Sequence, residues 1–222
     1  MGIPVLVLGY SSSGKTSSLR NLDPKDVLLI NAGGKPLPFK SKEWKEYDPK
    51  KETGSVVNEI NLNKIKNIVN YFSKMDKKIL IIDDFQFSLA KYMFDRADEK
   101  TFDKWTDLGS IVFQLVETMK NLPKDKICFI MSHMDDTDDG SMKMKTVGKL
   151  IDNQVNIPGW VIVTLGAYKN VEDKYVFVTN SKPGFELCKT PLGMFEDLEI
   201  DNDLKIVINA IKDYWNLDDE GK

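Results

Sequence analysis

Arginine is almost missing from this chain. Arg20 and Arg96 are its only two, and every other basic side chain among the 31 is lysine. Small-molecule and nucleoside kinases close an arginine-rich lid over their phosphates, and the span from Asp135 to Lys149 holds no arginine, so that class is disfavoured. Histidine occurs once, at His133, which argues against a histidine-built metal centre. The two cysteines, Cys128 and Cys188, lie in apolar strand-like segments without metal-ligand spacing and read as buried reduced thiols. No apolar run is long enough to span a bilayer, and no signal-peptide pattern opens the sequence. Met1-Gly2 would begin a myristoylation signal, but Leu6 stands where Ser or Thr is required. A cytoplasmic chain without membrane contact is expected. Nor is there a strong charge of one sign: the formal net charge is −3. Any contact with nucleic acid must then be local.

What is present fits one sizeable α/β domain over residues 1–222, with 41% hydrophobic and 29% charged residues. Near its start stands Gly9-Tyr10-Ser11-Ser12-Ser13-Gly14-Lys15-Thr16, which fits G-x-x-x-x-G-K-[ST] at every fixed position. An apolar strand, Ile3 to Leu8, precedes it, and Ser17 to Arg20 should open a helix after it. In this setting the backbone N–H groups of Gly9 to Ser17, with Ser11, Ser12, Ser13 and Gly14 between, would cradle phosphates at the positive end of the helix dipole. Lys15 would reach the outer phosphates, and the Thr16 hydroxyl would hold Mg²⁺. The pattern predicts nucleoside triphosphate binding.

Val27 to Asn31 reads as a second buried strand, and Asn61 to Lys74 as an amphipathic helix. Lys78-Ile79-Leu80-Ile81-Ile82-Asp83-Asp84 is a central strand ending in two acids. Asp83 is expected to orient Mg²⁺ through water, and Asp84 to polarise an attacking water. The plainer alternative makes both acids caps of the next helix, Phe85 to Arg96. A helical stripe runs from Leu108 to Met119, and Ile127 to His133 is a further strand, expected beside the one bearing Asp83. His133 then either senses the terminal phosphate or serves the structure. A hairpin is expected at Val161–Tyr168 and Tyr175–Thr179, a short strand at Phe185–Lys189, and a closing helix through Leu204, Val207, Ile208 and Ile211. The final residues read as frayed.

Two segments stay open. Residues 32–51 combine Lys35, Lys40, Lys42, Lys45, Lys50 and Lys51 with Phe39, Trp44 and Tyr47. They form either a solvated loop with tucked rings or a lobe for nucleic-acid or partner contact. Residues 134–150 read as a mobile loop, acidic and then basic. Asp135 to Gly140 imitates a calcium loop but carries Thr146 where the bidentate Glu belongs. Lys143, Lys145 and Lys149 either offset those acids or face DNA or a neighbouring subunit.

A phosphate-loop strand, a second strand, and an acid strand much later suggest a strand inserted between the first and the acid strand. The chain resembles the compact RecA-core ATPases of bacteriophages, the Sak-type proteins of single-strand annealing and recombination. GYSSSGKTS at 9–17, NAGGKPLPFK at 31–40, ILIIDDF at 79–85, the stretch 131–152, CKTPLGMF at 188–195 and the helix from Asp203 carry the likeness over nearly the whole chain. The resemblance implies a RecA-like P-loop core, its mostly parallel sheet flanked by helices and ending in an antiparallel hairpin. It further implies ATP and Mg²⁺, self-association into a ring or filament, and single-stranded DNA or a phage replication or recombination protein as partner. Active sites in that superfamily often lie between subunits. Lys189, with Lys149 second, is expected to supply a neighbour's cation, and Lys15, Asp84, His133 and Lys189 form the catalytic set. RecA recombinases carry a catalytic Glu at the end of the second strand; here that place reads Asn31-Ala32-Gly33, which moves water activation to Asp84.

Overall fold

The computed structural model describes residues 1–137, 140–148, 151 and 155–217. Its strands are β1 (Ile3–Gly9), β2 (Val27–Asn31), β3 (Val56–Val57), β4 (Ile79–Asp83), β5 (Ile127–Asp136), β6 (Met142–Met144), β7 (Val163–Lys169), β8 (Tyr175–Val178) and β9 (Glu199–Asp201). Its helices are α1 (Leu62–Phe72), α2 (Phe85–Asp95), α3 (Asp103–Asn121), α4 (Ile157–Trp160) and α5 (Leu204–Tyr214). The result is an α/β fold around a mixed, mostly parallel sheet of order β3-β2-β4-β5-β1-β7-β8-β9, with β6 paired to β5. β3 through β7 along that order run parallel, and β8 and β9 are antiparallel.

The apolar runs explain the layering. Alternate residues of a strand face opposite sides, so a strand covered on both faces must be apolar throughout. In β1, Leu6 and Leu8 pack with Leu28, Ile30, Leu80, Ile82 and Ile130 beneath α1, α2 and α3. Val5 and Val7 pack with Leu29, Ile81, Phe129 and Met131 on the other face, under Leu204, Val207 and Ile211 of α5. Asn61 caps α1 by accepting from Lys64 N at 3.1 Å, and Asp203 caps α5 by accepting from Lys205 N at 2.9 Å.

β5 lies between β1 and β4, as the late acid strand suggested. Register then aligns four strand ends: Gly9 sits opposite His133, and Asn31 opposite Asp83. Loops leaving the carboxyl ends of β1, β2, β4 and β5 therefore meet at one edge of the sheet. In open α/β sheets that edge is where ligands bind.

Several expectations need correction. The segment after the glycine loop is a six-residue 3₁₀ turn, Thr16–Asn21, in place of the opening turns of an α-helix. Thr16, Ser17 and Ser18 compete for backbone hydrogen bonds, and Pro24 stops the chain soon after. Asp135 and Asp136 are not loop residues. β5 continues through them, and Met142-Lys143-Met144 returns antiparallel with both methionines buried. Its period of two is a strand signal within the span 134–150. Residues 138–139 and Lys149 lie outside the described residues, as do 218–222, where fraying was expected. Phe185–Lys189 forms no strand. Lys189 makes one bridge to Thr164, donating to its carbonyl at 2.9 Å and accepting its N–H at 2.8 Å. Cys188 there is buried outside any strand, and both cysteines are free. Among the described residues no helix is long and apolar enough to cross a membrane.

Candidate functional site

At the carboxyl edge the loop from Gly9 to Thr16 bounds a cavity of about 330 Å³. Ser11 to Ser17, Asn31, Lys35 to Pro38, Asp83, Asp84, His133 and Tyr175 line it. The loop's curl depends on its glycines. A Cβ on Gly9 would stand 2.4 Å from Ala167 O and 2.4 Å from Ser13 Oγ. Gly14 has φ +92°, and a Cβ there would meet Tyr175 Cδ1 at 2.9 Å and Asn202 Oδ1 at 3.1 Å. Only glycine fits either place.

Lys15 is 5% exposed. Its Nζ lies in the mouth of the loop, donating to Gly9 O and Tyr10 O at 2.8 Å each. Burial lowers its pKa to about 8, against the attraction of Asp83 and Asp84. An anion entering the loop would restore the charged form. Thr16 Oγ1 donates to Asp83 Oδ2 at 2.7 Å, across 67 residues of sequence. Asp83 is 3% exposed. Burial raises its pKa, and the hydrogen bond from Thr16 only partly opposes that. A hydroxyl touching a buried carboxylate beside a lysine-bearing glycine loop is a donor set that suits Mg²⁺ when phosphate oxygens supply most of its shell. Among the described residues no group of three His, Cys, Asp or Glu could hold a metal by itself. The residues thus fit a cation that arrives with a phosphate ligand.

Asp84 occupies the cap position of α2 but makes no side-chain cap bond. Its backbone is left-handed, φ 57° and ψ 39°, a conformation Asp tolerates better than most residues. The side chain instead meets Lys35 Nζ at 3.1 Å, His133 Nε2 at 3.5 Å and Gln86 Nε2 at 3.3 Å. Burial would raise its pKa, but the hydrogen bonds from His133, Lys35 and Gln86 prevail and hold it at about 2. The carboxylate is firmly ionised. It orients and attracts donors, and it is too weak a base to keep a proton near neutral pH.

His133 therefore belongs to the site and packs edge-on against Phe87, with ring centres 5.9 Å apart. Lys189 does not reach the cavity of its own chain. It bridges Thr164, which is level with Leu6 in the middle of β1. Two contributors carry no sequence signature of their own. Gln86 accepts from Ser132 Oγ at 3.3 Å and from His133 N at 3.2 Å while donating to Asp84. Lys35 was one lysine in a basic segment. The pair Gly33-Gly34 before it, directly after a strand, is the signal that sets it apart. Around it, Phe39 and Trp44 pack edge to face with centroids 5.7 Å apart and rest on the core, as does Tyr47 on the opposite face. The rings of residues 32–51 are tucked, as the plainer alternative had it.

The Gly9–Thr16 loop also touches the β5–β6 hairpin. The Tyr10 hydroxyl donates to Asp136, and that bond pushes the phenol up to about 12. Lys145 lies 3.4 Å from Asp135, so at least one lysine of the basic stretch offsets the acidic one. Comparison with models of known protein families and with curated proteins returned no match.

Proposed function

We propose that this protein is a Mg²⁺-dependent ATPase with a RecA-like core, acting on single-stranded DNA in phage recombination, annealing or repair. The observation that carries the reading is the 2.7 Å contact between Thr16 and Asp83 beside Lys15 in its loop. The strand inserted between β1 and β4, and the antiparallel strands that follow the parallel core, support the RecA-type arrangement.

In this reading Lys15 and the loop N–H groups hold the outer phosphates of ATP. Thr16 and Asp83 would hold a Mg²⁺ ion, whose charge would offset the charge that builds up during transfer. Asp84, held by Gln86 and His133, orients a water whose oxygen bonds to the terminal phosphorus as the bridging P–O bond breaks. ADP and phosphate leave, and the water's proton passes to solvent. Catalysis is mainly positioning and charge stabilisation. Self-association into a ring or filament would let Lys189 approach a neighbour's site.

The test is steady-state ATP hydrolysis with and without single-stranded DNA at two salt concentrations, with Lys15→Ala as blank. A Lys15-dependent rate that DNA raises and salt suppresses is expected, because phosphate contacts release counterions. The second reading is a loader or assembly factor that docks a protein partner on the lysine-rich segment 32–51; the tucking of Phe39, Trp44 and Tyr47 leaves its lysines to make that contact. Hydrolysis indifferent to DNA would select it. Phosphoryl transfer to a small molecule in place of water would sink both and restore the kinase class.

A further inference from the structure

The loop after β2 is built to deliver one cation. Ala32 N donates to Asp83 O at 3.2 Å, and Gly34 N to Asn31 O at 3.3 Å. Asn31, at the end of the strand, reaches forward: its Nδ2 donates to Lys35 O at 2.9 Å and to Asn58 Oδ1 at 3.0 Å. Gly33 crosses so close to Asp84 that a Cβ would stand 2.6 Å from Oδ2. Gly34 turns with φ +60°, where glycine is favoured. These contacts set Lys35 Nζ 3.1 Å from Asp84 Oδ2 and 4.8 Å from the centre of the Phe87 ring, in the wall of the cavity that Lys15 also lines.

No arginine competes for the position. Arg20 donates to Ser17 O and Asn202 O, and Arg96 pairs with Glu99 and Asp107. Lys189 sits at mid-sheet. Resting on the ATPase reading, we infer that Lys35 is the cation that reads the terminal phosphate, and that it acts in the chain that carries the loop. An ammonium has three donors. It can hold Asp84 and a phosphate oxygen together, which ties the residue that orients water to the group being attacked. A diphosphate leaves Lys35 on Asp84 alone, so the contact distinguishes ATP from ADP.

The test measures equilibrium binding of a slowly hydrolysed ATP analogue and of ADP, each with Mg²⁺, to wild type, Lys35→Met, Lys35→Arg and Lys15→Ala. A charge-assisted hydrogen bond to the terminal phosphate predicts about 10- to 100-fold weaker binding of the ATP analogue to Lys35→Met. ADP affinity should stay within about twofold of wild type, since its contacts are untouched. Lys35→Arg should recover most of the loss, whereas Lys15→Ala should lose both nucleotides. Equal weakening for ATP and ADP, or none, overturns the assignment. Mixing Lys35→Met with Lys15→Ala should restore no hydrolysis. Restoration would mean that Lys35 serves a neighbouring subunit, which overturns the same-chain assignment. Failure of the wild type to bind either nucleotide would overturn the triphosphate site itself, and this inference with it.

Discussion

Replacing Thr16 by Val removes one hydroxyl and almost no volume. The hydroxyl is the donor that Asp83 Oδ2 accepts at 2.7 Å, and Asp83 is buried. A hydrogen bond to a charged group contributes about 1.5–3 kcal/mol. The swap keeps the branched shape but puts a methyl beside the Asp83 carboxylate, so the lost hydroxyl dominates the cost. For a chain of this size each kcal/mol moves the melting midpoint by about 2–4 °C. Thr16→Val should therefore melt roughly 3–12 °C below wild type near neutral pH. Thr16→Ser keeps the donor and should melt close to wild type. Calorimetry on the three proteins measures this directly. Function should separate in the same way: Thr16→Val loses Mg²⁺-dependent hydrolysis but keeps nucleotide binding through Lys15, and Thr16→Ser keeps both. Coincident melting of all three proteins would refute the argument, because Asp83 would then draw nothing from the contact.

Gly9→Ala should cost about 1–3 kcal/mol and abolish nucleotide binding, because the added methyl would stand 2.4 Å from the β7 carbonyl of Ala167; melting and binding measured together check it. Gln86→Leu leaves the His133 N–H and the Ser132 hydroxyl without their acceptor. It should lower stability by about 1–3 kcal/mol and lower kcat more than it raises the KM for ATP; a change confined to KM would contradict the positioning role. Burial raises both thiols, that of Cys188 from 9.0 to about 12. Neither should react with a thiol reagent at pH 8 until the chain unfolds. Since only the unfolded chain ionises them from about pH 9 upward, stability should decline with rising pH there; prompt labelling of the native protein would contradict this.

Most of the scaffold was legible because its signals are periodic. Strands buried on both faces read as unbroken apolar runs, and α1 and α5 announced themselves by an apolar stripe behind Asn61 and Asp203. β3 and β9 were not read. Strands of two and three residues have no measurable period and exist by pairing with β2 and β8. The β5–β6 hairpin was hidden by its acids, since alternation in Met142-Lys143-Met144 is too short to outweigh a run of Asp. At the candidate site, Lys15 and Thr16 stand in a sequence motif and Asp83 at the end of an apolar run, and the fold brings the three together. Lys35 reaches Asp84 through the fold, over 49 residues. Gln86 stands two residues from Asp84, but its contacts with Ser132 and His133 span 46 and 47 residues. Those long-range relations have no fixed spacing to read.

Some departures from ordinary folding chemistry lie where β1, β2, β4 and β5 end. Ser12 and Asp84 hold left-handed backbones there. A lysine and two aspartates are buried within one cavity wall. Burial disfavours the ionised forms of Lys15 and Asp83 alike, one lowered and the other raised. In a sheet that otherwise alternates apolar residues without exception from Val5 to Leu8 and from Ile79 to Ile82, such groups weaken the fold. A scaffold selected for stability alone would fill these positions with apolar side chains. An anion against Lys15 and a cation against Asp83 would each reverse the penalty. On the proposed reading, the cost of the site and its use would have one source: charges held out of water until an anion meets Lys15 and a cation meets Asp83.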